Sequence, residues 1–140
     1  MCRIGSSDGE AGSTLIEALV AVAIISMAAT IGFPSLRQGF VTLSQHQAVA
    51  TVVARLRQAR AQALRHDGLT TFDVAADGRS YAAGGVVTTA PPGVTFAAAG
   101  DGPIAFYGDG SSSGGRVWVI AGPKIAVTVA PLSGAVAVGS

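Results

Sequence analysis

Charge and sulfur are what this sequence has least of. Only 12% of its 140 residues are charged, about half the usual share. The formal net charge is +1, so no global field draws in nucleic acid or an acidic substrate. There is a single cysteine, Cys2, which excludes an internal disulfide and a cysteine metal cluster. The two histidines, His46 and His66, are isolated in polar stretches and read as surface residues. No metal site and no cofactor are expected. The length suggests one domain of modest size.

Apolar residues are abundant instead. They make up 49% of the chain, and the mean hydropathy is +0.51. Much of this lies in GSTLIEALVAVAIISMAATIGFP, residues 12–34, where Ser26 and Thr30 are the polar side chains beyond Glu17. The 21 residues 13–33 make about 31 Å of helix, close to the hydrocarbon thickness of a bilayer. A secretory signal's apolar core is shorter, about 7–15 residues. The rest of the chain is too small to surround such a helix as a core. A membrane span is the expectation.

Glu17 then needs a reason. A charge in mid-bilayer costs roughly 2.5–3.5 kcal/mol on insertion scales, and less near an end. Thr14-Leu15-Ile16-Glu17 fits a capping box, with Glu17 tying up amides at a helix N-terminus. Alternatively, cleavage after Gly12 makes Ser13 a charged amine four residues before Glu17. Amine and carboxylate then neutralise each other, within one chain or between neighbours, and an intermolecular pair sets the register of adjacent helices.

Past Pro34, where a kink is expected, a second helical stretch runs to about His66. Val49, Val52, Val53, Leu56, Ala59 and Ala63 recur at helical spacing and form a stripe suited to lying on a sheet. Asp67-Gly68 is the expected stop, with Gly68 in the left-handed cap. Arg55, Arg57, Arg60 and Arg65 do not share one stripe, so a solvated helix is favoured over a nucleic-acid surface. Arg60 falls within the apolar face and needs an acidic partner or a route to solvent.

From Leu69 onward the pattern becomes β-prone. LTTFDVA, SYAAGGVVTTA, GVTFAAA, PIAFYG, RVWVIAG, KIAVTVA and GAVAVG are divided by Asp77-Gly78, Pro91-Pro92-Gly93, Asp101-Gly102-Pro103 and Gly122-Pro123. The expectation is one antiparallel sheet of about six or seven short strands, with the helix stripe as its cover. Gly110-Ser-Ser-Ser-Gly114 matches G-x-S-x-G, but a nucleophile elbow needs a helix after it. Here Arg116-Val-Trp-Val follows, so a Gly/Ser-rich loop is favoured over a membrane-anchored enzyme using Ser112, and no catalytic residue is assigned.

Several of these features together resemble a known family. Gly12 followed by Ser-Thr-Leu-Ile-Glu, a long apolar helix, and Pro34 at the 22nd position after Gly12 resemble the N-terminus of type IV pilins and type II secretion pseudopilins. The family usually has phenylalanine where this chain has Ser13, and a net basic leader. FYGDGSSSGGRVWV, followed by two strands and PLSGAVAVG, resembles the C-terminal signature of the GspH/FimT branch. ARLRQARAQALRHDG resembles that branch's helix, with Arg60 and Ala63 at its Ala-Arg-x-x-Ala positions. An arginine commonly follows the glycine where this chain has Gly134-Ala135.

The resemblance implies an α+β, pilin-like fold: a long N-terminal helix, transmembrane in its N-terminal half, packed on a C-terminal antiparallel sheet. Residues 1–12 become a prepilin-type leader, 13–34 the transmembrane and assembly segment, 35–68 the periplasmic half of the helix and 69–140 the sheet domain. Gly12 becomes the cleavage-site residue, Ser13 the methylated N-terminus and Glu17 the assembly residue. Arg60, Asp109, Gly110, Gly114 and Gly115 become candidate interaction residues. Cleavage removes Arg3, Asp8 and Glu10, so Lys plus Arg falls from 9 to 8, Asp plus Glu from 8 to 6, and the charge becomes +2.

The implied function is that of a GspH-like minor pseudopilin, set in a bacterial inner membrane with its sheet domain in the periplasm. It would join a pseudopilus near the tip, and that filament acts as a piston for folded exoproteins. The implied partners are prepilin peptidase, the other minor pseudopilins (I, J and K), the major pseudopilin G and the lipid bilayer. The alternative is a FimT/FimU-like minor type IV pilin in pilus assembly or DNA uptake, with DNA as a partner only there.

Overall fold

A computed structural model describes residues 8–100 and 102–139; the side chains of residues 8–13 and 34–38 lie outside that description, as do residues 1–7. The chain divides into two compact units, Met1–Gly39 and Phe40–Ser140, and the helix α1 (Asp8–His66) contributes to both.

In the first unit α1 carries the apolar segment. Its stretch Thr14–Phe33, 20 residues, is long and apolar enough to cross a membrane, and none of it is buried within the chain. The hydroxyls of Ser26 and Thr30 are satisfied locally. Ser26 Oγ donates to the Val22 carbonyl at 2.7 Å and Thr30 Oγ1 to the Ser26 carbonyl at 2.8 Å, so neither adds an unpaired group to the apolar surface. The helix begins at Asp8, upstream of residue 13. Thr14 is therefore a helix-interior residue in the uncut chain, and the capping-box reading of Thr14 and Glu17 does not apply to it. Pro34 lies inside α1, with its side chain outside the described residues.

In the second unit α1 buries Gln45, Ala48, Val49, Val52, Leu56, Ala59 and Ala63. The steps of three and four put them on one face. Val53 packs at the edge of this core, partly buried. Each Val or Leu fully withdrawn from water contributes roughly 1.5–3 kcal/mol before entropy is counted, and Val52 and Leu56 are fully buried. The helix ends with the Gly68 N–H donating to the Ala63 carbonyl at 3.2 Å. The left-handed residue is Asp67, at φ 47°, and not Gly68 as expected. Aspartate tolerates that region better than most side chains, and the six-to-one bond makes the end a Schellman type.

Eight strands follow: β1 (Thr70–Val74), β2 (Ser80–Ala83), β3 (Val86–Thr89), β4 (Thr95–Ala99), β5 (Ile104–Phe106), β6 (Gly115–Ile120), β7 (Lys124–Val129) and β8 (Val136–Gly139). They form two four-stranded antiparallel sheets, β3-β2-β1-β5 and β4-β6-β7-β8. This corrects the expectation of one sheet. SYAAGGVVTTA is two strands, because Gly84 and Gly85 at φ 55° and 83° supply the two positive-φ positions of a two-residue hairpin turn. The chain also changes sheets three times, at β3–β4, β4–β5 and β5–β6. β4 pairs with β6 through Phe96↔Val119, and β5 returns to β1 through Thr70↔Phe106.

Aromatic rings bridge the two sheets. Tyr81 on β2 stacks on Phe72 of β1 with centroids 5.0 Å apart, and meets Phe96 of β4 edge-on at 5.0 Å. Both are favoured ring geometries. Val117, Val119, Val127 and Val129 alternate inward from β6 and β7 and complete the core with Ile104 and Phe106.

Candidate functional site

The chain presents two candidate regions, one in each unit. In the first, Gly12 and Ser13 lie in the helical backbone of α1, with their side chains outside the described residues. Glu17 is exposed among Leu15, Ile16, Leu19 and Val20, themselves 52–67% exposed. Its carboxylate meets no cation among the described residues. A charge on an apolar helix surface in a membrane is costly unless a partner neutralises it.

In the second unit three segments meet at Arg60: the helix, the β5–β6 loop and the β7–β8 loop. The half-buried Arg60 side chain donates from Nε to the Gly110 carbonyl at 3.1 Å. A backbone carbonyl thus partners the guanidinium, where the sequence called for an acidic partner or a route to solvent. Gly134 closes the contact from the other side. A Cβ there falls 2.7 Å from the Gly110 oxygen and 2.9 Å from Arg60 Nε, and its φ is 62°. Glycine is required on both counts. Arg57, Arg60, Ala61, Leu64, Gly134 and Val136 line a surface groove of about 310 Å³ beside this junction.

The loop after β5 is tightly built. Gly110 N–H donates to the Tyr107 carbonyl at 2.9 Å and Tyr107 N–H to the Ser111 carbonyl at 3.0 Å. Asp109 Oδ1 accepts from the Ser111 amide at 2.9 Å and from its hydroxyl at 2.6 Å. These bonds, from the hydroxyl first, hold the Asp109 carboxyl below its ordinary value. Gly108 backs onto the helix end, where a Cβ would fall 2.8 and 2.9 Å from the Asp67 carbonyl carbon and Cα. Gly114, at φ 73°, packs on Pro131, and a Cβ on Gly115 would fall 2.7 Å from Ile104 Cγ1. Arg60, Gly110 and Gly134 are therefore brought together, while Gly114 and Gly115 serve the neighbouring β6 start and Asp109 faces solvent.

Ser112 is buried. Its hydroxyl donates to the Ala130 carbonyl at 2.9 Å and accepts from the Gly114 amide at 3.1 Å. It staples the loop to the end of β7, and β6 follows where a nucleophile elbow needs a helix. Of the remaining arginines, Arg55 donates to Gln58 Oε1 at 3.0 Å and Arg116 lies over the Trp118 ring at 5.6 Å. Arg57 and Arg65 are exposed.

Gln45 was not singled out by sequence reasoning. Its buried amide donates to the Val119 carbonyl at 3.2 Å and the Pro123 carbonyl at 2.6 Å, tying the helix to the β6–β7 turn. The signal was its position one helical turn before Val49, in line with the stripe.

Comparisons with known proteins bear on each region separately. Residues 8–33 match the prokaryotic N-terminal methylation motif. The structure is similar to that of the minor pseudopilin EpsH from the type 2 secretion system of Vibrio cholerae, with a TM-score of 0.58 at 12% identity, covering 69% of this chain and 97% of that one. No curated protein matches the chain. The chain thus carries a prepilin-type N-terminus and a pilin-like α+β fold.

Proposed function

We propose, for a chain that is type IV pilin-like in motif and fold, that it is a minor pseudopilin of a type II secretion system. The observation that carries this reading is Glu17, an exposed carboxylate that meets no cation among the described residues, inside a membrane-length apolar helix. It lies within a segment that matches the N-terminal methylation motif. Prepilin peptidase cuts after Gly12. The new amine of Ser13 is methylated, and Glu17 pairs with an N-terminus in the growing filament. The span anchors the chain in the inner membrane, and the sheet domain stands in the periplasm. The similarity of fold to EpsH supports a place among minor pseudopilins, near the pseudopilus tip, beside pseudopilins I, J and K and the major pseudopilin G. The chain is a structural component, not an enzyme.

The test is intact mass and N-terminal sequence of the protein from membranes, with and without prepilin peptidase. A peptidase-dependent product starting at methylated Ser13 is expected. A chain left uncut at Met1 would remove the basis of the filament reading.

The FimT/FimU-like minor pilin reading rests on the exposed Arg57 and Arg65. It predicts salt-dependent DNA binding that falls when these arginines are replaced. Binding that is absent at low salt would dispose of it.

A further inference from the structure

The two sheets end in four edge strands, and these are not alike. The β5 edge is closed by the chain itself: the Ser113 N–H donates to the Ala105 carbonyl at 2.9 Å, and Ser113 Oγ accepts from the Ala105 amide at 3.0 Å. The β4 edge is met by the β1–β2 turn, where the Phe96 N–H donates to the Gly78 carbonyl at 2.8 Å. β3 is open. Its register on β2 is Ala83↔Val86, Ala82↔Val87, Tyr81↔Thr88 and Ser80↔Thr89. The Ala90 N–H donates to the Arg79 carbonyl at 2.7 Å, which fixes the phase of the ladder. Bonded and non-bonded pairs alternate in an antiparallel pair, so Val86 and Thr88 face β2 while the N–H and C=O of Val87 and Thr89 face outward.

An edge of this kind is normally blunted by charge, proline or a bulge. β3 is Val-Val-Thr-Thr, with Val86 and Val87 exposed at 47% and 68%. Beside it, between β3 and the helix, lies a pocket of about 220 Å³ lined by Gln47, Thr51, Tyr81, Thr88, Pro91 and Phe96 among others, none of them charged. This is below the usual range of small-molecule sites, about 300–1,000 Å³. A side chain entering it meets neutral hydroxyls, an amide and ring edges. Strand addition uses such a pair of features, a bare ladder for the backbone and an adjacent pocket for one inward side chain.

We propose that β3 is a docking edge, at which an extended, uncharged segment of a partner protein adds as a fifth strand and seats one neutral side chain in the pocket between β3 and α1. The inference rests on the filament reading, since the partner is a neighbouring subunit. The ladder requires an extended backbone, and neither β3 nor the residues lining the pocket offer a charge to pair with a charged side chain.

The test is amide exchange at Val87 and Thr89 in the full chain, in membranes holding the assembled filament and in membranes of the non-assembling Glu17→Ala variant. Slowing by tenfold or more in the assembled sample is expected. Val87→Pro removes an outward N–H at an edge position where proline is tolerated. It should be cleaved, inserted and as heat-stable as wild type, yet fall at least fivefold in the sedimenting filament fraction, while Val87→Thr assembles normally. Unchanged exchange in an assembled chain, or normal assembly of Val87→Pro, overturns the inference alone. A wild-type chain that never reaches the filament fraction overturns the function and the inference together. Slowing that appears in the purified chain by concentration alone makes the occupant a second copy and overturns the partner assignment.

Discussion

Arg60 Nε donates to the carbonyl of Gly110 at 3.1 Å, across fifty residues of sequence. This bond fastens the helix to the β5–β6 loop, and Gly134 on the β7–β8 loop packs so closely that a Cβ there would clash with both partners. Hydrogen bonds to charged groups contribute about 1.5–3 kcal/mol, and an orphaned buried acceptor costs about 1–3. Arg60→Met keeps most of the apolar stem and removes the donor. It should destabilise the protein by about 1–3 kcal/mol, measured as a fall in Tm of the full chain in detergent. An unchanged Tm would show that water replaces the guanidinium without loss.

Gly134→Ala and Gly122→Ala separate two costs. Both residues have positive φ, 62° and 93°, so both substitutions strain the backbone by about 1–2 kcal/mol. Only Gly134 is also crowded; nothing lies within 4 Å of a Cβ at Gly122. Gly134→Ala should be the more destabilising by at least about 1 kcal/mol in denaturant unfolding. Equal losses would mean that the three-segment junction relaxes freely.

Gln45→Leu conserves volume and deletes both donors to Val119 and Pro123. A loss of about 1–3 kcal/mol is expected, with faster amide exchange around the β6–β7 turn. A stabilised variant would instead show that the buried amide was a net cost.

Tyr81 carries a buried hydroxyl that meets no group in good hydrogen-bond geometry among the described residues, although Thr88 and Arg55 lie near it. Burial raises its pKa above the ordinary value of 10.0, and Thr88 and Arg55 offset only part of that. The folded state therefore holds the proton more tightly than the unfolded chain. Its contribution to stability is complete below pH 10.0 and is lost as pH rises from there through the folded-state value. Tyr81→Phe should leave stability at pH 7 unchanged or higher, since it deletes an unsatisfied group, and should flatten the alkaline limb of the Tm–pH curve. A large loss at pH 7 would reveal a partner for the hydroxyl.

Much of the second unit was legible in the sequence because its signals are local. Helical spacing from Val49 to Ala63 marked the face that is buried. Asp77-Gly78, Pro91-Pro92-Gly93 and Gly122-Pro123 marked breaks that the strands respect. Ser112 was rejected as a nucleophile because a strand follows it, and its hydroxyl is consumed by two backbone groups. The errors fall where two local choices were nearly equal, or where length was ambiguous. Asp67 and Gly68 both tolerate a left-handed cap. Gly84-Gly85 reads equally as flexible strand or as hairpin turn until a partner strand fixes it.

The sequence by itself determined the apolar segment, its lone carboxylate and the change from helical to alternating pattern, because burial periodicity and bilayer thickness are properties of neighbouring residues. Tertiary structure decided which strands pair, that there are two sheets rather than one, what Arg60 holds and which edges stay open. Those depend on contacts between residues far apart in the chain, such as Thr70 with Phe106 and Phe96 with Val119. Several β-prone runs of similar length and composition can pair in many orders. Only packing the Phe72–Tyr81–Phe96 rings against the helix stripe selects one of them.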